Sequence, residues 1–463
     1  MFGGSIKLGA REAWTATIPA ALGGTVRQLI SPVAFAVSTL LSAGASARDA
    51  FEQDWAIHAQ ATFVLQANAR FRSAFEGPNS LDHRAHAKET FDLTAYLGLR
   101  PWSGAEVWIN PEIDQGFGLS NTLGAVGFPS GEAYKVGKSN PYAKLPRWFF
   151  RQTIDLGGEP EKVDPDLNQL GGRRTTNRMV VTIGKFGVVD VFDTNSLAHD
   201  PRGDFLNWTI IDAGTFDYAA NAWGYTYGAA AELYQGAWTF RAGIFALSDV
   251  PNSEKLDPSF RQNELVGEIE HRHSIGGQPG TFKLTIFRNR GRMGRFEDAI
   301  GLAKLTGEPA DIAAVRRTQS RTGLSFNFEQ QVSKTLSIFA KGGLADGDIE
   351  PFEFTDVDRT VAAGASIRGS AWDRPDDRFG IAGGVNEITG VHRQYLDLGG
   401  LGILIGDGRL PHPGDEQLIE AYYDVALAKG FHAALDGQLI NHPGYNRDRG
   451  PVPVGALRLH AQF

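Results

Sequence analysis

Arginines and carboxylates, with a tryptophan among them, recur through the first third of the chain: Arg70, Arg100, Glu106, Trp108, Glu112, Arg147 and Arg151. Glu132 and Lys135 lie among them in a long glycine-rich stretch, Gly116–Pro146, and Asp204, Asn207 and Trp208 end a later polar stretch. An arginine offers a fixed fork of N–H donors, a carboxylate accepts, and an indole presents a flat apolar face. Such a set suits holding a polar solute by several weak bonds. Bond-breaking chemistry finds less support. Glu106 with Glu112, or Glu112 with Glu132, has the makings of a glycosidase pair, yet carboxylates are common and chain spacing fixes no distance in space. His83 with His86, and His271 with His273, have ligand-like spacing but sit among polar and charged residues, as solvated histidines do. Asp346-Gly-Asp348 and Asp376-Asp377 lack the EF-hand spacing. Gly399–Gly408 lacks the lysine of a phosphate loop, and no Gly-x-Ser-x-Gly elbow occurs. With no cysteine there is no thiol nucleophile, disulfide or thiolate metal site. No catalytic residue, cofactor or metal is expected.

What must position these residues is a set of strands. In Trp55–Phe71 the odd positions run Trp55, Ile57, Ala59, Ala61, Phe63, Leu65, Ala67, Ala69, Phe71, while the even ones include His58, Gln60, Thr62, Gln66, Asn68 and Arg70. Side chains alternate sides of a strand, so the two sets face opposite ways. Helical periodicity fails here, since it would place His58 and Gln60 between Ile57 and Ala61. Phe91 to Leu99 alternates against Asp92, Thr94, Tyr96, Gly98 and Arg100. The theme returns at Val107–Glu112, Arg147–Asp155, Arg178–Ile183, Leu324–Glu329 and Ile419–Leu427, and in the last stretch, where Leu457, Leu459, Ala461 and Phe463 oppose Ala456, Arg458, His460 and Gln462. Short turns (Tyr234–Ala237, Gly276–Gly280, Lys429-Gly430) alternate with long polar loops: Gly77–Lys88, Gly116–Pro146, Gly157–Asn177, Asp193–Asp204 and Asp346–Arg359. The expectation is an all-β, transmembrane antiparallel β-barrel with apolar rows toward lipid, polar rows toward a wet lumen, and loops folding into the lumen. One helix is expected, at Glu308–Arg317.

The 463 residues fit one barrel, residues 48–463, behind a leader, Met1–Ala47. Arg27 precedes the apolar run Leu29–Leu41, and Ala45-Ser-Ala47 supplies small residues for cleavage near Ala47, so the leader reads as a signal peptide for export. The part before Arg27 is longer than a usual signal peptide's basic start, which leaves open whether Met1 is the true start. No later stretch is apolar enough for a helical span. Net charge is −8, and −10 without the leader, which argues against nucleic-acid binding.

Several blocks resemble the carbohydrate-selective porins called OprB: Phe75-Glu-Gly-Pro-Asn-Ser-Leu81, Trp108-Ile-Asn-Pro-Glu112, Gly116-Phe-Gly-Leu-Ser120, Gly127-Phe-Pro-Ser-Gly-Glu132, Arg147-Trp-Phe-Phe-Arg-Gln-Thr153, Trp372-Asp-Arg-Pro-Asp-Asp377, Gly406-Asp-Gly408, Glu420-Ala-Tyr-Tyr423 and Tyr445-Asn-Arg-Asp-Arg-Gly-Pro451. They span essentially the whole chain after the leader. The resemblance implies sixteen strands, a Gram-negative outer-membrane location and passive diffusion of small sugars through a charged constriction. The terminal aromatic, Phe463, resembles the closing strand of outer-membrane barrels and implies handling by the barrel-assembly machinery. The expected partners are then small carbohydrates and outer-membrane lipid, with the chain a monomer or homotrimer. On that view the wall comprises Arg70, Arg100, Glu106, Trp108, Glu112, Arg147 and Arg151, with Glu132 and Lys135 brought in by an eyelet loop and Asp204, Asn207 and Trp208 behind them. Two rivals stand: a barrel for anions, organic acids or exported polysaccharide, and a secreted soluble β lectin or glycoside hydrolase.

Overall fold

A computed structural model describes residues 52–133, 137–354 and 356–463. The expected signal peptide, Met1–Ala47, and Lys135 lie outside the described residues. Sixteen strands follow in order: β1 (Trp55–Asn68), β2 (His86–Leu99), β3 (Ala105–Gly116), β4 (Lys138–Val163), β5 (Gly172–Phe186), β6 (Thr226–Gln235), β7 (Trp238–Ala246) and β8 (Asn263–Ile275). The second half comprises β9 (Gln278–Met293), β10 (Arg317–Gln331), β11 (Leu336–Ala345), β12 (Arg359–Arg368), β13 (Arg378–Glu387), β14 (Glu416–Ala428), β15 (Phe431–Asn441) and β16 (Val452–Gln462). Each pairs antiparallel with the next, and β16 closes on β1, with Phe63 opposite Leu459 and Leu65 opposite Leu457. A closed barrel leaves no edge strand and satisfies its backbone within the wall, which is what hydrocarbon demands.

The alternation sorts as the sequence predicts. Leu97, Ile109, Ile183, Ile286, Ile419 and Leu435 are exposed on the outside. Gln60, Thr62, Thr94, Glu112, Asn327 and Glu420 are buried inside. This inversion of a soluble protein sets aside the lectin or hydrolase rival. Turns such as 100–104, 236–237 and 276–277 share one rim with the N-terminal end of β1. At that rim Trp55, Trp102, Trp238, Trp372, Phe431 and Phe463 are all exposed, forming an interfacial aromatic belt. Among the described residues no helix is long and apolar enough to cross a membrane.

Several boundaries differ from expectation. The first strand stops at Asn68, because Phe71 turns in under a loop, where Arg449 lies over its ring at 5.7 Å. Much of Gly157–Asn177 is strand rather than loop, as is the end of Gly116–Pro146. No α-helix falls at Glu308–Arg317; the helices among the described residues are the short α1 (Trp208–Ile211), α2 (Phe296–Thr306) and α3 (Gly390–Asp397). Phe296, Ala299, Ile300 and Ala303 give α2 a buried face; Glu297 and Asp298 begin it and Lys304 ends it, each complementing the helix dipole. Pro309 and the turn at Ala313–Val315 break the expected segment.

Leu97→Arg puts a charge on the lipid face, two residues from the end of β2 and toward the aromatic rim, where the cost falls below the roughly 2–4 kcal/mol of the midplane, and it is expected to weaken the heat-modifiable folded band. Tyr96→Arg, on the inner face, is expected to retain that band better. The reverse order would invert the assigned faces.

Candidate functional site

Two long connections enter the lumen. Residues 117–137 join β3 to β4, and residues 187–225, which carry α1, join β5 to β6. Irregular backbone at membrane depth must find partners, and carboxylates on the wall provide them. The N–H groups of Val126 and Gly127 donate to Glu416 at 3.1 and 2.7 Å. Asp193 N–H donates to Glu268 at 2.8 Å, Ser196 N–H to Glu329 at 2.7 Å and Ala219 N–H to Glu264 at 2.8 Å. Leu206 and Asn207 both donate to Glu420. Lys341 donates to the carbonyls of Ala198 and Ile211 at 2.8 and 2.6 Å. Of the expected eyelet at Gly116–Pro146, residues 118–133 fold inward, and the larger inward element is 187–225.

These loops leave a cavity of about 630 Å³ against β2, β4 and β5. Of the residues expected to form the site, Glu132, Arg147, Arg151 and Trp208 line it. Arg147 holds Asp190 through two bonds, Nε to Oδ2 at 2.8 Å and Nη2 to Oδ1 at 2.6 Å. Its guanidinium lies 4.7 Å above the Tyr225 ring. Arg151 donates to Glu106 at 3.4 Å and to the Asn168 carbonyl at 2.8 Å. Trp208 stacks on Phe128 at 5.5 Å.

Glu106, Trp108 and Glu112 do fall on the inner face of β3, one layer behind the cavity. Trp108 is fully buried and donates Nε1–H to Glu106 at 2.8 Å. Its ring lies flat against Gly98, where an added Cβ would come within 2.5 Å of it, so only glycine admits this approach. Glu112 accepts from Thr94 at 2.6 Å and pairs with Lys144 at 3.1 Å. Asp204 pairs with Arg378 at 2.7 Å, and Asn207 caps α1 and donates to Gly127 and Gln438; both tie the loop to the wall and stand outside the cavity. Two placements need correction. Arg70 is exposed beyond the end of β1, because that strand ends at Asn68. Arg100 lies past the end of β2 and donates to Gly171 O at 3.0 Å.

Sequence reasoning missed the central cation. Arg202, on the inward loop, approaches Glu132 at 3.5 Å, Asp92 at 3.4 Å and Glu112 at 4.0 Å. Nothing local marks it, since loop folding alone delivers it. Lys144 was missed because it sits three residues before Arg147, which strict alternation would put on opposite faces. A register shift opposite Asn110–Glu112 absorbs the extra residue, so both point inward. Pro111 and Pro146 were the available signals. The result is an acidic patch from Asp92, Glu112, Asp114 and Glu132 facing a basic run of Lys144, Arg147 and Arg151, with Arg202 between. In the loop, burial pushes the Asp212 carboxyl up to about 7 although Lys341 opposes this.

Outside the lumen, Glu76, Asp82 and His83 have ligand atoms within 4.8 Å of one another. His83 already takes Glu76 at 2.7 Å, and Arg84 takes Asp82 at 2.6 Å.

The family model described as "Carbohydrate-selective porin, OprB family" matches residues 79–463. No curated protein sequence matches significantly. Among solved structures, the high-pH structure of Pseudomonas putida OprB is similar with a TM-score of 0.67 at 17% identity, covering 89% of this chain and 94% of that one. Its low-pH structure gives 0.48 at 13% identity over 89% and 93%. Pseudomonas aeruginosa OccK2 (OpdF) gives 0.45 at 10% identity over 90% and 99%.

Arg202→Ala should leave the acidic patch without its shared counter-charge and raise cation over anion permeability by about twofold or more, measured as reversal potential in a salt gradient; unchanged selectivity would remove Arg202 from the conducting path. As pH rises through about 7, Asp212 ionises. The neutral form is the one favoured by burial, so its stabilising effect is present at low pH and lost above that value. Cation preference should therefore climb between pH 6 and 8 in the wild type, and Asp212→Asn should flatten the climb. Identical titrations would assign it to another group.

Proposed function

This chain belongs to the carbohydrate-selective porin (OprB) family, and on that premise we propose that it is a passive pore for small sugars. As a member of that family it is an outer-membrane channel. The observation that carries the sugar reading is the pairing on the cavity wall. Arg147 and Arg151, each beside a carboxylate and near an aromatic ring, line a space of about 630 Å³. A sugar needs both kinds of wall: donors and acceptors for its hydroxyls, and flat faces for its C–H sides. An arginine already holding a carboxylate binds hydroxyls without trapping anions. The solute gradient supplies the driving force.

The remaining parts of the reading follow from export. Met1–Ala47 is a leader cleaved near Ala47, residues 48–463 are the barrel, and the strand ending at Phe463 is the one presented to the barrel-assembly machinery. The barrel works in outer-membrane lipid as a monomer or homotrimer. The rival cargoes, anions, organic acids or exported polysaccharide, separate by conductance.

Liposomes carrying the protein should swell in mono- and disaccharides, and sugar should reduce ion current in planar bilayers. Sugar that leaves the current untouched, beside strong anion selectivity, would overturn the carbohydrate claim. Replacing Arg147 and Arg151 together with Ala should keep assembly, change the conductance and weaken sugar block about tenfold, the loss of roughly one charge-assisted hydrogen bond, ~1.5 kcal/mol.

A further inference from the structure

The cavity has a second boundary, on the side of the short turns, built by neither inward loop. β4 continues well past its neighbour β3, whose last partner on that side is Gln152, opposite Ala105. β5 first meets β6 at Arg178, opposite Tyr234, so residues 172–177 have no ladder partner in β6. The two strands nevertheless stay paired out to Val163 and Gly172. This hairpin therefore projects beyond the wall.

It does not project straight. The ladder breaks register between Asp155 and Gly157 and again between Gly157 and Pro160. Gly157 and Gly158 have φ of +93° and +94°, backbone that L side chains rarely adopt. Beyond this kink the tip, residues 164–171, reaches strand ends that are not its ladder neighbours. Gln53, just before β1, donates N–H to Gly171 O at 3.0 Å and accepts from Gly171 N–H at 2.9 Å. Arg100 donates to the same carbonyl. Gln462, at the end of β16, donates to Asp166 at 3.4 Å. Leu170, within the tip, is 1% exposed. Asp166, Leu167 and Asn168 line the same cavity as Arg147 and Arg151, and Arg151 holds the Asn168 carbonyl.

We propose that this folded-back hairpin tip is a second constriction of the pore, on the exit side, with the Asp166 carboxylate setting the charge that a solute meets there. The inference rests on the channel reading above and adds a specificity element to it. Its physical basis is simple. A carboxylate at a narrow mouth attracts cations and repels anions. The tip is tethered by four separate residues, so it holds its position across the opening instead of swinging free.

The chain has no cysteine, so a single introduced thiol is the sole target for a thiol reagent. Asp166→Cys channels in planar bilayers should lose cation preference by about twofold. A sulfonate-bearing methanethiosulfonate should restore it, and a trimethylammonium-bearing one should reverse it and lower conductance. Glu159→Cys, on the exposed arm, should respond to neither. Asp166→Lys should lower cation preference without any reagent, which covers a failure of the cysteine variant to assemble. Normal wild-type channels, with Asp166→Lys and modified Asp166→Cys indistinguishable from wild type, would overturn the proposal and leave the porin reading intact. Wild-type protein that inserts but conducts nothing would instead overturn the porin reading.

Discussion

Irregular backbone inside a membrane has to find hydrogen-bond partners, and in this protein the barrel wall supplies them as carboxylates. Glu264, Glu268, Glu329, Glu416 and Glu420 each accept from backbone N–H groups of the inward loops. Lysine and arginine complete the match: Lys341 binds two loop carbonyls, and Arg458 binds those of Pro201 and Asp204. Leaving any one buried group unpaired costs about 1–3 kcal/mol, so the loop has one well-satisfied path through the lumen. The bore of the channel follows from that path. A loop held at strands on every side of the lumen is a fixed wall.

The charges that face the cavity obey a related constraint. An uncompensated arginine in a narrow pore would bind anions, and an uncompensated carboxylate would bind cations. Here each is matched: Arg147 by Asp190, Arg151 by Glu106, and Arg202 by three acids at once. The site keeps spare lone pairs and N–H groups on charges that already have partners. That combination is the one on which the proposed sugar reading rests. Tyr225, between Arg147 and Lys144, adds a flat face on the same side.

Much of this was legible in the chain. The alternation of Trp55–Ala67 and of Phe91–Leu99 assigned inside and outside correctly, since a strand has a period of two and lipid and water pull opposite ways. Arg147 and Arg151 could be placed on the inner face for the same reason. Lys144 could not, because a bulge resets the phase and its position depends on how β3 and β4 pair. Arg70 was misplaced because alternation does not say where a strand ends. Asp204 and Asn207 were read as candidates for the site, whereas the fold uses them as ties between loop and wall.

The sequence by itself therefore determined the class of fold, the two faces of each strand, and which residue types the lumen would hold. Tertiary structure alone decided which of those residues meet. Arg202 joins Asp92, Glu112 and Glu132 across more than a hundred residues of chain from the first of them, and the 164–171 tip reaches strand ends far from it in the ladder. The physical reason is that strand periodicity is a local property, read residue by residue. The course of a loop is set by the sum of many hydrogen bonds to distant strands, which no local pattern records.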